Sequence, residues 1–176
     1  MTQFWCAILL RIRGLPISAL LLLSAYAQSD AKVPAVAATA DRIFVDKSDR
    51  VMILYRKDKE IARYIHLKLG DAPVGHKHFE GDEKTPEGSY RISGRNPGSS
   101  YHLSLRISYP NTADLAYAKK AGKNAGGDIF IHGQPNSWTG GTIATDWTDG
   151  CIALGNAEIE TLWKQVPDGT PITIVP

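Results

Sequence analysis

Cysteine is scarce. The 176-residue chain has two, Cys6 and Cys151, too few for a disulfide framework. An excess of one charge is also missing. The formal +2 comes from 20 basic and 18 acidic residues, and Arg11 and Arg13 in the first segment account for the whole surplus. A balanced chain without a basic run has no electrostatic footprint for nucleic acid, so that class of partner is set aside. Long apolar stretches are absent as well: Leu15–Leu23 is shorter than a bilayer-spanning helix requires. With no internal repeat and no later linker, the length points to one domain.

Residues 1–27 read as a secretory signal peptide. Arg11 and Arg13 supply positive charge, Leu15–Leu23 is the apolar core, and Ala25-Tyr26-Ala27 fits the small-x-small cleavage pattern. An uncleaved anchor is the competing possibility. Cys6 leaves with such a signal, and the mature chain is then not integral to a membrane. Residues 28–41 form a short flexible lead, and the domain spans 42–176. One unpaired thiol, Cys151, then remains in an exported protein, in a periplasmic or other envelope compartment that favours disulfides.

The domain reads as β-rich α+β, a curved or sandwiched sheet with peripheral helices. "RIFVD" (42–46) and "RVMILYR" (50–56) are strands joined at "KSD". Residues 61–69 alternate from Tyr64 onward, with Ile65, Leu67 and Leu69 on one face. "YHLSLRISY" (101–109) sets Tyr101, Leu103, Leu105, Ile107 and Tyr109 against a polar face of His102, Ser104, Arg106 and Ser108. That polar face is either solvated or lines a polar cleft. A helix over 111–122 is capped by Asn111 and stopped by Gly122. A second, over 156–166, is capped by Asn156, buries Ile159, Leu162, Trp163 and Val166, and ends at Pro167. "PITIV" (171–175) is a final strand.

Thiol catalysis needs a base and donors for an oxyanion. Gly150, just before Cys151, permits backbone conformations closed to other residues and close approach of a substrate carbonyl. A buried structural cysteine is the competing reading. Five histidines are candidate bases. His66 shares a strand face with Lys68 and reads as surface. His76 and His78 form an H-x-H pair without a third ligand at convincing spacing, so no metal is expected. His102 lies on the polar face of its strand. His132 closes "DIFIHG" where a strand opens into a long loop, and pattern alone leaves it either a base or a structural histidine. Trp138 and Trp147 in that loop either floor a groove or close the loop's own small core. The loop is also a candidate lid.

"IHG" (131–133) followed by "TDGCIAL" (148–154), with "GHKHFEGDEKTPEGSYRISGRNP" (75–97) upstream, resembles the YkuD-type L,D-transpeptidase family from about residue 42 to 175. The resemblance implies a curved β-sandwich with a catalytic-cysteine cleft. Cys151 would be the nucleophile, His132 its proton acceptor and donor, Gly133 the residue framing the histidine and Gly150 the nucleophile's neighbour. The implied substrate is the stem peptide of bacterial peptidoglycan, with no cofactor. A thioester forms at the third residue, D-alanine leaves, and an amine accepts the acyl group. The chain departs from the common family pattern at Thr148, Asp149 and Ala153, the last standing where an arginine is usual. Asp149 by itself raises the thiol pKa, or it contacts His132 or a substrate ammonium. His102, Arg106, Asp149 and Thr148 are the candidate substrate-binding residues, and Arg95 is a further cation. The "TDGC" form resembles a branch that includes an amidase cutting the diaminopimelate–lipoprotein lysine bond, which makes an envelope lipoprotein a possible partner. The same motifs are compatible with an L,D-carboxypeptidase, and the fold with a non-catalytic wall-binding domain. A papain-like protease has its cysteine and histidine in the opposite order.

Overall fold

The computed structural model describes residues 38–176. The signal segment read over 1–27 and most of the lead over 28–41 lie outside these. Two residues placed in the lead are bonded into the domain: Ala40 N–H donates to Gln165 O (2.8 Å) and Asp41 N–H to Tyr55 O (2.9 Å). Among the described residues, no helix is long and apolar enough to cross a membrane.

The first three strands are β1 (Arg42–Asp46), β2 (Val51–Arg56) and β3 (Lys59–Tyr64). Asp46 folds the first turn by accepting from Ser48 Oγ (2.8 Å) and Asp49 N–H (2.9 Å). Lys57 and Asp58, both at positive φ, make the second turn, the backbone geometry that suits tight hairpins. β4 (Gly88–Asn96), β5 (Ser104–Ile107), helix α1 (Thr112–Lys120), β6 (Phe130–His132), β7 (Ile152–Ala153), helix α2 (Asn156–Gln165) and β8 (Pro171–Val175) follow. Eight strands form one sheet in the order β3-β2-β1-β8-β4-β5-β6-β7. The β1–β8 and β6–β7 pairs are parallel and the others antiparallel.

The sheet curls. β4 pairs with β8 through Gly88–Arg91 and with β5 from Ile92 onward, with a register break between Ile92 and Gly94. A bulge of this kind bends a strand and increases its twist. The chain leaving β3 crosses to the far edge, where Lys68 and Ala153 exchange both main-chain bonds, at 3.0 and 2.8 Å. The interior holds Ile43, Met52, Leu54, Leu69, Ile92 and Ile131 among others, and α2 closes it with Ile159, Leu162 and Val166. Each such side chain contributes about 1.5–3 kcal/mol by leaving water.

Several local expectations are corrected. The alternating strand over 61–69 stops at Tyr64, because His66 takes positive φ (62°). Ile65 is therefore half exposed, while Leu67 and Leu69 are buried in the crossover. The strand over 101–109 shrinks to Ser104–Ile107, since His102 also sits at positive φ (65°). Tyr101 leaves the apolar face, and Ser104 is buried with its Oγ 2.6 Å from Ser99 Oγ. α1 is capped by Asn111 as expected, with Asp114 completing a capping box. In α2 the cap is Gly155, not Asn156, whose Oδ1 instead accepts from Gln134 N–H (2.8 Å).

A buried lysine ties β1 to the segment before β4. Lys47, 3% exposed, donates to Gly75 O (2.7 Å), Thr85 O (3.1 Å) and Glu87 Oε1 (2.7 Å). Burial pulls its pKa down while Glu87 pulls it up. Removing the carboxylate leaves the ammonium short of a counter-charge. Glu87→Gln is expected to cost about 2 kcal/mol, read as a lower urea midpoint at unchanged slope.

Candidate active site

Strand pairing brings the thiol and the imidazole together. β6 and β7 run parallel with Ile131 beside Ile152 and His132 beside Ala153. Cys151 lies one step before β7, in line with Phe130, whose N–H donates to its Sγ (3.3 Å). Paired and alternate positions of a sheet point to the same side. Cys151 and His132 therefore share a face, and both line one cleft of about 660 Å³.

The buried His132 side chain is oriented from behind. Its Nδ1 lies 2.7 Å from Gly133 O. A carbonyl only accepts, so Nδ1 carries the proton and Nε2 keeps its lone pair. Tyr101 and Trp147 flank the ring at centroid distances of 4.6 and 5.5 Å. Burial lowers the His132 pKa, which keeps the ring neutral. Gly133 has no room for a side chain: a Cβ would meet Asn156 Oδ1 at 2.6 Å and His102 Cβ at 3.0 Å.

Cys151 is a resting thiol, its S–H directed at Asp128 O (3.6 Å). Burial pushes its pKa up to about 11; the Phe130 N–H opposes this, and the carboxylates of Asp149 and Asp128 add to it. A thiolate therefore forms at this position only if a base takes the proton. Gly150 holds φ at +120°, and a Cβ there would lie 2.5 Å from Lys84 O. Thr148, buried, braces the turn: its Oγ1 donates to Cys151 O (2.8 Å) and accepts from Gly150 N–H (3.2 Å). Among the described residues, the N–H groups of Asp149 and Cys151 donate to no other atom.

A thiol and an imidazole thus line one cleft, and comparison with known proteins identifies the lineage. The model of the YkuD L,D-transpeptidase catalytic domain matches residues 40–174. The chain belongs to the YkuD L,D-transpeptidase family. No curated protein sequence matches the chain. Among solved structures, this YkuD domain is similar to the helical cell shape determining protein Pgp2 of Campylobacter jejuni, at 30% identity and TM-score 0.63, covering 78% of this chain and 48% of that one. It is similar to Bd1075 of Bdellovibrio bacteriovorus at 29% identity and TM-score 0.54, covering 79% and 49%. An L,D-transpeptidase of Xylanimonas cellulosilytica shares the fold at 13% identity and TM-score 0.52, covering 78% and 61%. The chain thus spans about half the length of the first two. The curved, strand-rich fold expected from the resemblance is the fold observed.

The YkuD domain divides the remaining candidates. Thr148 and Asp149 line the cleft. His102 does not; its Nε2 meets Glu160 Oε1 (2.7 Å). Arg106 does not line the cleft either; it is turned onto Asp128 (2.7 Å) and lies over the Phe130 ring, both of which do. Arg95 is committed elsewhere, to Asp168, Trp163 O and Val166 O. His76 has both ring nitrogens engaged, accepting from Glu87 N–H (2.9 Å) and facing Asp114 (3.0 Å). No described group of three or more His, Cys, Asp or Glu side chains is arranged to hold a metal.

The loop read as a candidate lid lies elsewhere over most of its length. No described residue from 134 to 146 lines the cleft; Thr142, Ile143 and Ala144 instead line a separate groove at the start of α2. The buried Gln134 holds the loop down, donating to Leu154 O (2.6 Å) and accepting from Ile143 N–H (2.9 Å). Deleting 137–142 is expected to change KM less than twofold in steady-state kinetics. The cleft walls come from the segments 77–83, 96–101 and 126–130, with Ser104. Sequence reasoning missed Glu83, Ser99, Tyr101 and Asp128 as cleft residues. Trp147, which the sequence favours slightly for the loop's own small core, belongs instead to the cleft, and its Nε1 is buried without a partner beside His132.

Proposed function

We propose that the chain is an exported, peptidoglycan-modifying cysteine acyltransferase that acts on stem peptides in the periplasm or cell envelope. The observation that carries this is the shared face of Cys151 and His132, with Nδ1 tied to Gly133 O and the Nε2 lone pair left to act. His132 takes the thiol proton as Sγ attacks the carbonyl of the third stem residue, a diaminopimelate joined to D-alanine. The N–H groups of Cys151 and Asp149 receive the developing oxyanion. The imidazolium then gives its proton to the departing amine, so D-alanine leaves and a thioester remains. An acceptor amine displaces the thiolate: diaminopimelate gives a 3–3 crosslink, and a lipoprotein lysine gives a protein tether. The mechanism needs no cofactor. Kinship with a protein described as determining cell shape supports a role in wall architecture.

A second reading, hydrolysis, has its own observation. Glu80, Glu83, Asp128 and Asp149 line the cleft, while its one lysine, Lys77, is bound to Asp82 (2.9 Å). Such carboxylates attract an ammonium but also hold it protonated and non-nucleophilic. Water suffers no such penalty, which favours carboxypeptidase or lipoprotein-releasing amidase products from the same thioester. Mass spectrometry of muropeptides decides. The chain and its Cys151→Ala variant are incubated with a sacculus digest containing tetrapeptides and lipoprotein remnants. Cysteine-dependent 3–3 dimers identify the transpeptidase, tripeptides alone the carboxypeptidase, and loss of the remnant alone the amidase. Absence of all three products contradicts the acyl-transfer proposal.

A further inference from the structure

The cleft does not end at Glu80 and Gly81. These two residues are shared with a second hollow of about 420 Å³, completed by Phe79, Asp82, Lys123 and Asn124. Its aromatic wall continues onto α1. Tyr117 lies nearly flat on His78, with ring centroids 4.1 Å apart at 20°, and Phe79 leans toward the same ring at 5.9 Å. His78 and Phe79 are themselves fixed, because Asp82 accepts from both of their N–H groups (2.7 and 2.9 Å) and His76 abuts His78 edge-on at 4.7 Å.

Core packing does not account for Tyr117. α1 buries only Asp114 and Ala118, and Tyr117 remains 51% exposed. His78 stacks on one face of the phenol, and the residue still keeps half of its surface in solvent. Polar groups are close by: Lys123 Nζ lies over the Phe79 ring, 4.4 Å from its centroid, which leaves Tyr117 as the available aromatic surface, and Asn124 donates to Glu80 (2.7 Å). An aromatic face carries negative charge density, which suits the C–H-bearing face of a pyranose. The surrounding amide, carboxylate and ammonium suit its hydroxyl and acetamido groups. A ring already stacked on its neighbour loses little freedom when a sugar lands on it.

We propose that this shelf is a saccharide subsite that receives the glycan strand from which the stem peptide in the cleft hangs. It rests on the peptidoglycan substrate proposed above. Cys151 lines the same cleft as Glu80 and Gly81, and the roughly 10 Å spanned by three extended residues is the reach assigned to the peptide between its third residue and its sugar. At the Glu80–Gly81 edge that sugar meets the aromatic surface.

The test has a binding arm and a kinetic arm. Calorimetric titration of the chain with peptide-free tetrasaccharide glycan is expected to show binding. Tyr117→Ala is expected to weaken it roughly five- to tenfold, and Tyr117→Phe, which keeps the ring, to retain most of it. Leu115→Ala, exposed on the same helix but outside the shelf, is expected to bind as the wild type. In kinetics, the disaccharide-tetrapeptide is expected to show a lower KM than the free tetrapeptide. Tyr117→Ala is expected to abolish that difference without changing kcat/KM for the free peptide. A wild-type chain that does not bind the glycan, or a Tyr117→Ala variant that binds it equally well, overturns the subsite. Glycan binding that depends on Tyr117, without turnover of either peptide, supports the subsite and overturns the acyl-transfer proposal instead.

Discussion

His132→Gln is expected to lower kcat by on the order of 10³-fold, within the range attributed to a positioned general base. The size follows from the resting state of the proposed nucleophile. With its pKa pushed up to about 11, Cys151 is a thiol at neutral pH and does not attack unaided. Glutamine can donate to Gly133 O as Nδ1 does, but it offers no basic lone pair. The pH profile separates this from a structural defect. Burial lowers the His132 pKa below its usual 6.5, so wild-type activity is held through neutral pH and falls only as the pH drops through that depressed value. The variant loses this acid limb. Stability follows the same sign: the unfolded state binds the histidine proton first, so stability declines as the pH falls from about 6.5 downward. Cys151 acts at the other end. Its raised pKa stabilises the fold below the ordinary thiol pKa, and that contribution is lost as the pH climbs toward about 11. Iodoacetamide labelling of wild-type Cys151 is accordingly expected to be slow at neutral pH and to accelerate throughout the alkaline range.

Gly150→Ala is expected to be nearly as damaging, and to destabilise as well. A methyl group at this position would sit 2.5 Å from Lys84 O, on a residue held at φ +120°. Backbone strain and overpacking together cost roughly 2–5 kcal/mol. Neither neighbour yields easily. Lys84 N–H is held by Asp82 (3.1 Å), and Thr85 O by the buried Lys47 (3.1 Å). The strain is relieved by shifting the Thr148–Cys151 turn, and a displacement of about 1 Å at a reacting atom lowers turnover on the order of 100-fold. Thermal denaturation and single-turnover kinetics on the same preparation measure both effects. Full stability with wild-type kinetics would mean that the close approach of Gly150 to Lys84 is not required.

The two candidate residues are more legible in the sequence than their surroundings. Cys151 stands out as the one thiol left after a signal-like segment, and His132 as the last residue of a strand. Their meeting is not legible, because it depends on β6 and β7 pairing in parallel across a long loop, a non-local contact without a local pattern. The helices are legible since caps and apolar spacing are local; Asn111 caps α1 as expected. β4 shows in the sequence only as part of a motif although Tyr90 and Ile92 alternate with exposed neighbours, because Gly88, Gly94 and the flanking prolines mask it as turn. His66 ends its strand early and His102 delays the start of its own, both through positive φ, for which histidine gives little warning. Arg106 and His102 stand out as charge on a polar face, but Asp128 and Glu160 claim them. Those partners are 22 and 58 residues distant along the chain.

The most direct measurement is intact-protein mass spectrometry of the chain quenched in acid during turnover of a disaccharide-tetrapeptide. The expected result is a covalent adduct equal in mass to the bound substrate less D-alanine. It maps to Cys151 after digestion, is released by hydroxylamine as a thioester should be, and is absent from Cys151→Ala. Turnover that continues in Cys151→Ala, or an adduct on another residue, would contradict the assignment of Cys151 as the nucleophile.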